Sequence, residues 1–439
     1  MDKADAPRDE ILSLARRYAE QREVRTWRSG LDRVPYAGRV VGADEVCRLV
    51  DAALDCWLTL GPNGDRFESE LKQKTGTRDA ILVNSGSSAN LVALTALSSP
   101  NTPDGLRPGD EAITPATTFP STFSPIIQNR LIPVVVDCRL GDYNASMDAI
   151  EAAIGPRTRA LVLPHTLGNP FDLDRATALC RRHGLRLVED ACDALGSLWR
   201  GKPVGGFGDF GTLSFYPAHH ITMGEGGAVL TNDARLALRA RSIRDWGRNC
   251  WCPTGKSDTC GKRFGWTLGS LPPGYDHKYI YSEIGYNLKP TDLQAAVGLA
   301  QIARLTGFVE RRRHNFNRLD SALRASGMEE HLHLPTSDPN AFVSWFAYPI
   351  TVRAGAPFTR DQAVRSLEAA NIETRMLFAG NILRQPAFIG VQCRVPGSLE
   401  VTDTVMRNTF VVGVYPGLTD AMVDYMADAL IALRRGARS

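Results

Sequence analysis

The 439-residue chain carries 51 basic and 48 acidic side chains, a net charge of +3, and no strongly basic tail. That balance argues against a nucleic-acid binder. The polar N-terminal stretch lacks the apolar centre of a secretory leader, and no run is apolar for long enough to span a bilayer. The expectation is therefore a cytoplasmic protein of about two or three domains, with neither nucleic acid nor membrane as partner. Nine cysteines in such a compartment are expected as thiols, mostly small core hydrophobes.

From about Thr75, short apolar runs alternate with amphipathic stretches. Strands are predicted at 79–85, 111–114, 132–136, 159–164, 185–190, 212–216 and 227–231, with helices between several of them. Leu91, Leu94 and Leu97 recur at helical spacing after the first strand. Such alternation predicts an α/β fold, a mostly parallel sheet covered by helices on both faces. Residues 241–290 are rich in Gly, Pro, Trp and Cys without periodicity, and read as a long irregular excursion of the kind that is usually functional. One helix over 291–326 is predicted to leave the large domain, followed by a smaller α+β domain. The division expected is an N-terminal segment (1–60) packing on the small domain, a large domain (61–300) and a small domain (301–439).

Three segments and one set of cysteines carry chemistry. Residues 83–90, Val-Asn-Ser-Gly-Ser-Ser-Ala-Asn, join a strand to a helix through small residues; an anion could approach the backbone N–H groups there, although an ordinary tight turn has the same look. Asp190 ends an apolar strand, as a helix cap would, or as the carboxylate that pairs with a pyridinium nitrogen. Cys192, Cys250, Cys252 and Cys260 have the spacing C-x57-C-x-C-x7-C, a thiolate set suited to either a 2Fe–2S cluster or a structural zinc. Asp190 and Cys192 are two residues apart, so their Cα atoms lie within roughly 7 Å.

The third segment, residues 214–232, contains Ser214, Phe215, Ile221, Thr222, Glu225, Gly226 and Gly227 around His219. It resembles the DegT/DnrJ/EryC1/StrS sugar aminotransferases, and the likeness runs over nearly the whole chain. The resemblance implies fold type I, the aspartate-aminotransferase-like architecture. In that family a lysine at the position of His219 holds PLP as an internal aldimine. An imidazole is not a primary amine, so the resemblance implies pyridoxamine 5′-phosphate (PMP) held non-covalently, with His219 as a base. The histidine and the four cysteines together resemble the PMP- and 2Fe–2S-dependent sugar-nucleotide 3-dehydratases of the family, those acting on CDP-4-keto-6-deoxyglucose among them.

That likeness implies cofactor contacts from Gly86, Ser87, Asp190, Asp193, Ser214, Tyr216 and Phe346. It implies a homodimer in which Asn287 reaches the neighbouring subunit's cofactor, and sugar-nucleotide contacts from Arg375 and Arg384. The implied reaction removes the 3-hydroxyl of an NDP-4-keto-6-deoxyhexose, CDP- or dTDP-linked. Its electrons pass through the cluster from an external reductase or ferredoxin, since the chain has no flavin or nicotinamide motif. Two alternatives stand beside it: a glutamate-coupled PMP 3-dehydratase with no redox cluster, and a zinc-stapled sugar-nucleotide binding protein without catalysis.

Overall fold

The computed structural model describes residues 6–21, 26–252 and 255–435. The main sheet contains β1 (Asp79–Val83), β2 (Glu111–Pro115), β3 (Ile132–Val136), β4 (Thr158–Pro164) and β5 (Arg186–Asp190). After the short strands β6 (Leu198–Trp199) and β7 (Lys202–Pro203), it is completed by β8 (Phe210–Ser214) and β9 (Gly227–Thr231). The order is β1-β9-β8-β5-β4-β2-β3, and β9 alone runs against the others.

Strand alternation divides the core between the two faces. Ile81, Val83, Val162, Val188 and Val229 belong to one apolar cluster; Leu82, Leu161, Leu213 and Leu230 belong to the other. Strands buried on both faces read as near-continuous apolar runs, which is why the sheet was legible from composition.

A second sheet, order β10-β12-β14-β13, is antiparallel throughout. It comprises β10 (Leu332–His333), β12 (Ala347–Val352), β13 (Thr374–Arg375) and β14 (Thr409–Gly413), while β11 (Ala341–Phe342) pairs instead with β6. Its core gathers Phe316, Trp345, Tyr348, Phe410 and Leu430, with Val34 from the N-terminal segment. The helix Ala43–Leu54 packs on the helix Asp292–Ala303, and Ala6–Glu20 packs on Ala43–Leu54.

Two expectations need correction. The single helix over 291–326 is two, Asp292–Ala303 and Leu305–Ala325. No glycine or proline marks the break; Arg304 turns its guanidinium to the Val40 carbonyl and the Glu45 carboxylate, and its own N–H bonds back to Gln301. The irregular excursion also starts later than 241, because the helix Ala234–Arg244 runs through its first residues. Among the described residues no helix is long and apolar enough to cross a membrane.

Candidate active site

The carboxyl ends of β1, β4, β5 and β8 open into a cavity of about 970 Å3, the place where α/β sheets present their ligands. Ser85 caps the helix Gly86–Leu97, its hydroxyl accepting from the Ser88 N–H at 3.1 Å, so the helix N-terminus faces the cavity with Gly86 and Ser87. Chain packing at this corner is tight. A Cβ added at Gly86 would lie 2.6 Å from Ser214 Cβ and 2.8 Å from Cys192 Sγ. One added at Gly227 would lie 2.4 Å from the Ser85 carbonyl carbon, so both positions require glycine. The resulting backbone cradle fits a phosphate.

Asp190 ends β5 almost completely buried. Its carboxylate accepts from Asn90 Nδ2 at 2.8 Å, Thr122 Oγ1 at 2.6 Å and the Cys192 backbone N–H at 3.1 Å. Thr212 braces Asn90 in turn, its hydroxyl donating to Asn90 Oδ1 at 2.7 Å. A carboxylate desolvated and held this way suits one task, pairing with a cationic ring nitrogen in the cavity.

His219 lies on the loop between β8 and β9, which closes through Phe215 N–H to the Gly226 carbonyl and Met223 N–H to the Phe215 carbonyl. Its Nδ1 stands 3.3 Å from Asp193 Oδ1 without forming a hydrogen bond. The ring packs against Phe346 at 5.2 Å between centroids and against Tyr216 at 6.5 Å. The adjacent His220 points away, fully buried, with Nε2 2.8 Å from the Ser344 carbonyl. Burial, then the Arg312 charge, pull His220 well below the ordinary histidine range, so it stays neutral. Of the two histidines, only His219 lines the cavity.

The remaining expected residues divide. Gly86, Ser87, Asp190, Cys192, Asp193, Ser214, Tyr216, Phe346 and Arg375 line the cavity; Arg384 and Asn287 do not. Arg384 is engaged elsewhere, by Asp403 at 2.7 Å from its Nε. That guanidinium pulls the Asp403 carboxyl down to about 2. Asn287 is exposed and accepts from Lys289 Nζ at 2.8 Å.

The cysteines divide as well. Cys250, Cys252 and Cys260 line one pocket of about 10 Å3 with Asp258, His277 and Lys278, room for about one water. The Thr259 hydroxyl, 3.2 Å from Cys252 Sγ, is the leading cause that lowers that thiol. Cys192 lines the main cavity instead, where burial and then Asp190 push its thiol well up. The four expected ligands are thus three and one, and no group of three or more His, Cys, Asp or Glu among the described residues stands ready to hold a metal ion.

Sequence reasoning missed Tyr36, His165, Phe378 and Arg312. The first three line the cavity, and Arg312 bonds the His219 carbonyl from beneath. Tyr36 comes from the N-terminal segment, far from any motif, and Arg312 sits in a run of cations that reads as a solvated helix face.

A seven-stranded sheet in this order, with a phosphate cradle at one strand end and a buried carboxylate at another, is the PLP-dependent fold type I architecture. The chain belongs to the DegT/DnrJ/EryC1/StrS aminotransferase family, whose pattern matches residues 41–431. It is 51% identical to the dTDP-4-dehydro-2,6-dideoxy-D-glucose 3-dehydratase of Saccharopolyspora spinosa, over 96% of this chain and 91% of that one. It is 49% identical to the lipopolysaccharide biosynthesis protein RfbH of Salmonella typhimurium, over 95% and 96% of the two chains. Among solved structures, Escherichia coli GDP-4-keto-6-deoxy-D-mannose 3-dehydratase with bound hydrated PLP superposes with a TM-score of 0.82 at 26% identity, covering 90% of this chain and 98% of that one.

Proposed function

We propose that the protein is an NDP-4-keto-6-deoxyhexose 3-dehydratase that works with PMP and a 2Fe–2S cluster. The observation that carries the reading is His219, an imidazole beside Asp193 in a cavity otherwise furnished for a pyridoxal-type cofactor. The names and identities of the relatives support it. Bound in the cavity, PMP would supply an amine for the 4-keto carbon and a ring able to hold negative charge.

The chain's own groups divide the remaining work. The Gly86–Ser87 helix start and Ser214 bind the phosphate. Asp190 keeps a proton on the ring nitrogen. His219 removes a proton at the cofactor's 4′ carbon, with Asp193 stabilising the imidazolium it becomes. Phe346 and Tyr216 flank the imidazole. Arg375 meets the substrate diphosphate.

Cys250, Cys252 and Cys260, together in one pocket, support the cluster, with Cys192 the expected fourth ligand. The cluster would relay single electrons from an external reductase or ferredoxin. We infer further a homodimer in which Asn287 serves the neighbouring subunit's cofactor, a CDP- or dTDP-linked substrate, and the two-domain division with the boundary near residue 300. The second reading, a glutamate-coupled 3-dehydratase with no cluster, is favoured by Cys192 lining the main cavity while the other three cysteines line a pocket of their own.

The test is iron and acid-labile sulfide on anaerobically prepared protein, with an EPR spectrum after one-electron reduction. About two irons and two sulfides per chain are expected. Zinc, or no metal after reconstitution, overturns the cluster and leaves the glutamate-coupled reading.

A further inference from the structure

Arg312, on the helix Leu305–Ala325, is fully buried, yet no carboxylate lies within ion-pair distance of it among the described residues. Its donors go to carbonyls on two separate stretches of chain. Nη1 donates to the Phe346 carbonyl at 3.1 Å and the Trp345 carbonyl at 3.3 Å. Nη2 donates to the His219 carbonyl at 3.0 Å and, more weakly, the Ala218 carbonyl at 3.4 Å. Nε has no partner. Burial pulls the guanidinium down to about 10, opposed by the charges of Tyr36 and Asp193.

A buried cation without a contact ion pair is costly even with the Asp193 charge in range, and an apolar chain of similar volume would pack there more cheaply. What the guanidinium does that an apolar chain would not is span the gap between the His219 loop and the Trp345–Phe346 segment. Those are the two pieces that meet across the imidazole, ring to ring at 5.2 Å.

We propose that Arg312 is the positioning residue for His219. By tying the His219 carbonyl to the segment that carries Phe346, it fixes the imidazole relative to Phe346 and Asp193. The inference rests on His219 being the base, but its test does not depend on turnover alone. His220 also ties this loop to the segment, through the Ser344 carbonyl, but Arg312 reaches the His219 carbonyl itself, and the ring's Nδ1 is unbonded beside Asp193.

Two variants test it, Arg312→Met and Arg312→Lys, each with two readouts. The first is hydrogen exchange at the 4′ carbon of PMP in the substrate complex, followed by mass spectrometry of the released cofactor, beside the PMP dissociation constant. The second is the His219 imidazole signal in 15N-histidine-labelled, cofactor-free protein, assigned by its loss in His219→Asn. For Arg312→Met, the exchange rate is expected to fall about 10- to 100-fold, as for a base displaced by a fraction of an ångström to an ångström. PMP affinity should stay within about threefold, and the His219 signal should move or split. Arg312→Lys keeps the charge and can reach part of the carbonyl set; it should recover most of the rate and the wild-type signal.

An unmoved signal with an unchanged rate overturns the proposal. So does a fall in PMP affinity as large as the fall in rate, which marks general loss of structure, or a lysine variant no better than methionine. If Arg312→Met does not fold, Arg312→Gln takes its place with the same readouts: a shifted His219 signal with a rate lowered more than the affinity supports the role, and an unshifted signal with an unchanged rate refutes it. If the wild-type protein exchanges no hydrogen, the assigned reaction falls, and the imidazole signals alone judge Arg312.

Discussion

At the carboxyl ends of β5 and β8, the polar groups of the cleft are already bonded to one another: Asp190 has Asn90, Thr122 and the Cys192 N–H, and Asn90 has Thr212. In the stretch from Asp245 to Pro290 polar groups are bonded too, as Arg263 is to Asp276, but large apolar side chains are left uncovered. Trp251, Phe264, Tyr279, Tyr281 and Ile284 are exposed, and the three cysteines close on a pocket of about 10 Å3. Both regions are non-repetitive chain, so irregularity is not what separates them. The cleft is assembled by strand ends that the sheet fixes regardless of any ligand, and such a site is preorganised. Among the described residues the loop has no strand to set its thiols, and a metal site on such a loop would gain its geometry from the metal it binds.

The sharpest way to break the comparison is His219→Asn, which should stop proton transfer in the cleft while leaving the loop untouched. Loss of turnover by about 1,000-fold is expected, with iron content unchanged. Retained turnover measured by steady-state kinetics would remove His219 as base. Asp190→Asn comes next: turnover should fall about 100-fold and PMP should bind more weakly, read by cofactor absorbance after dialysis, because a neutral amide cannot hold the ring-nitrogen proton. Cys250→Ser attacks the other region. Iron should be lost, while PMP affinity by fluorescence titration stays within about twofold, since the cleft does not depend on the loop.

A smaller effect divides the two arginines. Arg375→Gln should raise the substrate KM about 10-fold, whereas Arg384→Gln should leave it within about twofold, because Asp403 already occupies that guanidinium. Arg384→Gln should show itself in acid instead. Asp403 is held down from 3.8 to about 2, so the ion pair adds stability above the unfolded value that is lost as pH falls through the folded one. The variant should therefore unfold at slightly higher pH in an acid titration, a small shift for so exposed a pair.

Much of the fold was readable before any coordinates. Ile132–Val136 and Gly227–Thr231 fall where the apolar runs put them. Asp190, Ser214 and His219 were legible because each sits next to a strand end that carries its own pattern. Arg304, Arg312 and Tyr36 were not, because their roles arise from contacts more than 80 residues away in the sequence, as with Arg304 to Val40 and Arg312 to His219. A run such as Glu-Arg-Arg-Arg-His looks solvated until a neighbouring segment covers one of its members. Arg384 shows the opposite case: an arginine in a motif that pairs with a nearby aspartate, a contact its spacing does not reveal. The spacing of the four cysteines, likewise, carries no information on which wall of the protein each one faces.

The most direct test of the central claim is mass analysis of the sugar nucleotide after the PMP-loaded, cluster-reconstituted protein meets CDP- or dTDP-4-keto-6-deoxyglucose with a chemical or enzymatic reductant and without glutamate. The account predicts a product lighter by one oxygen atom, formed only when reductant is present, with PMP regained. A product carrying a new amino group, or deoxygenation that requires glutamate and ignores the reductant, would contradict it.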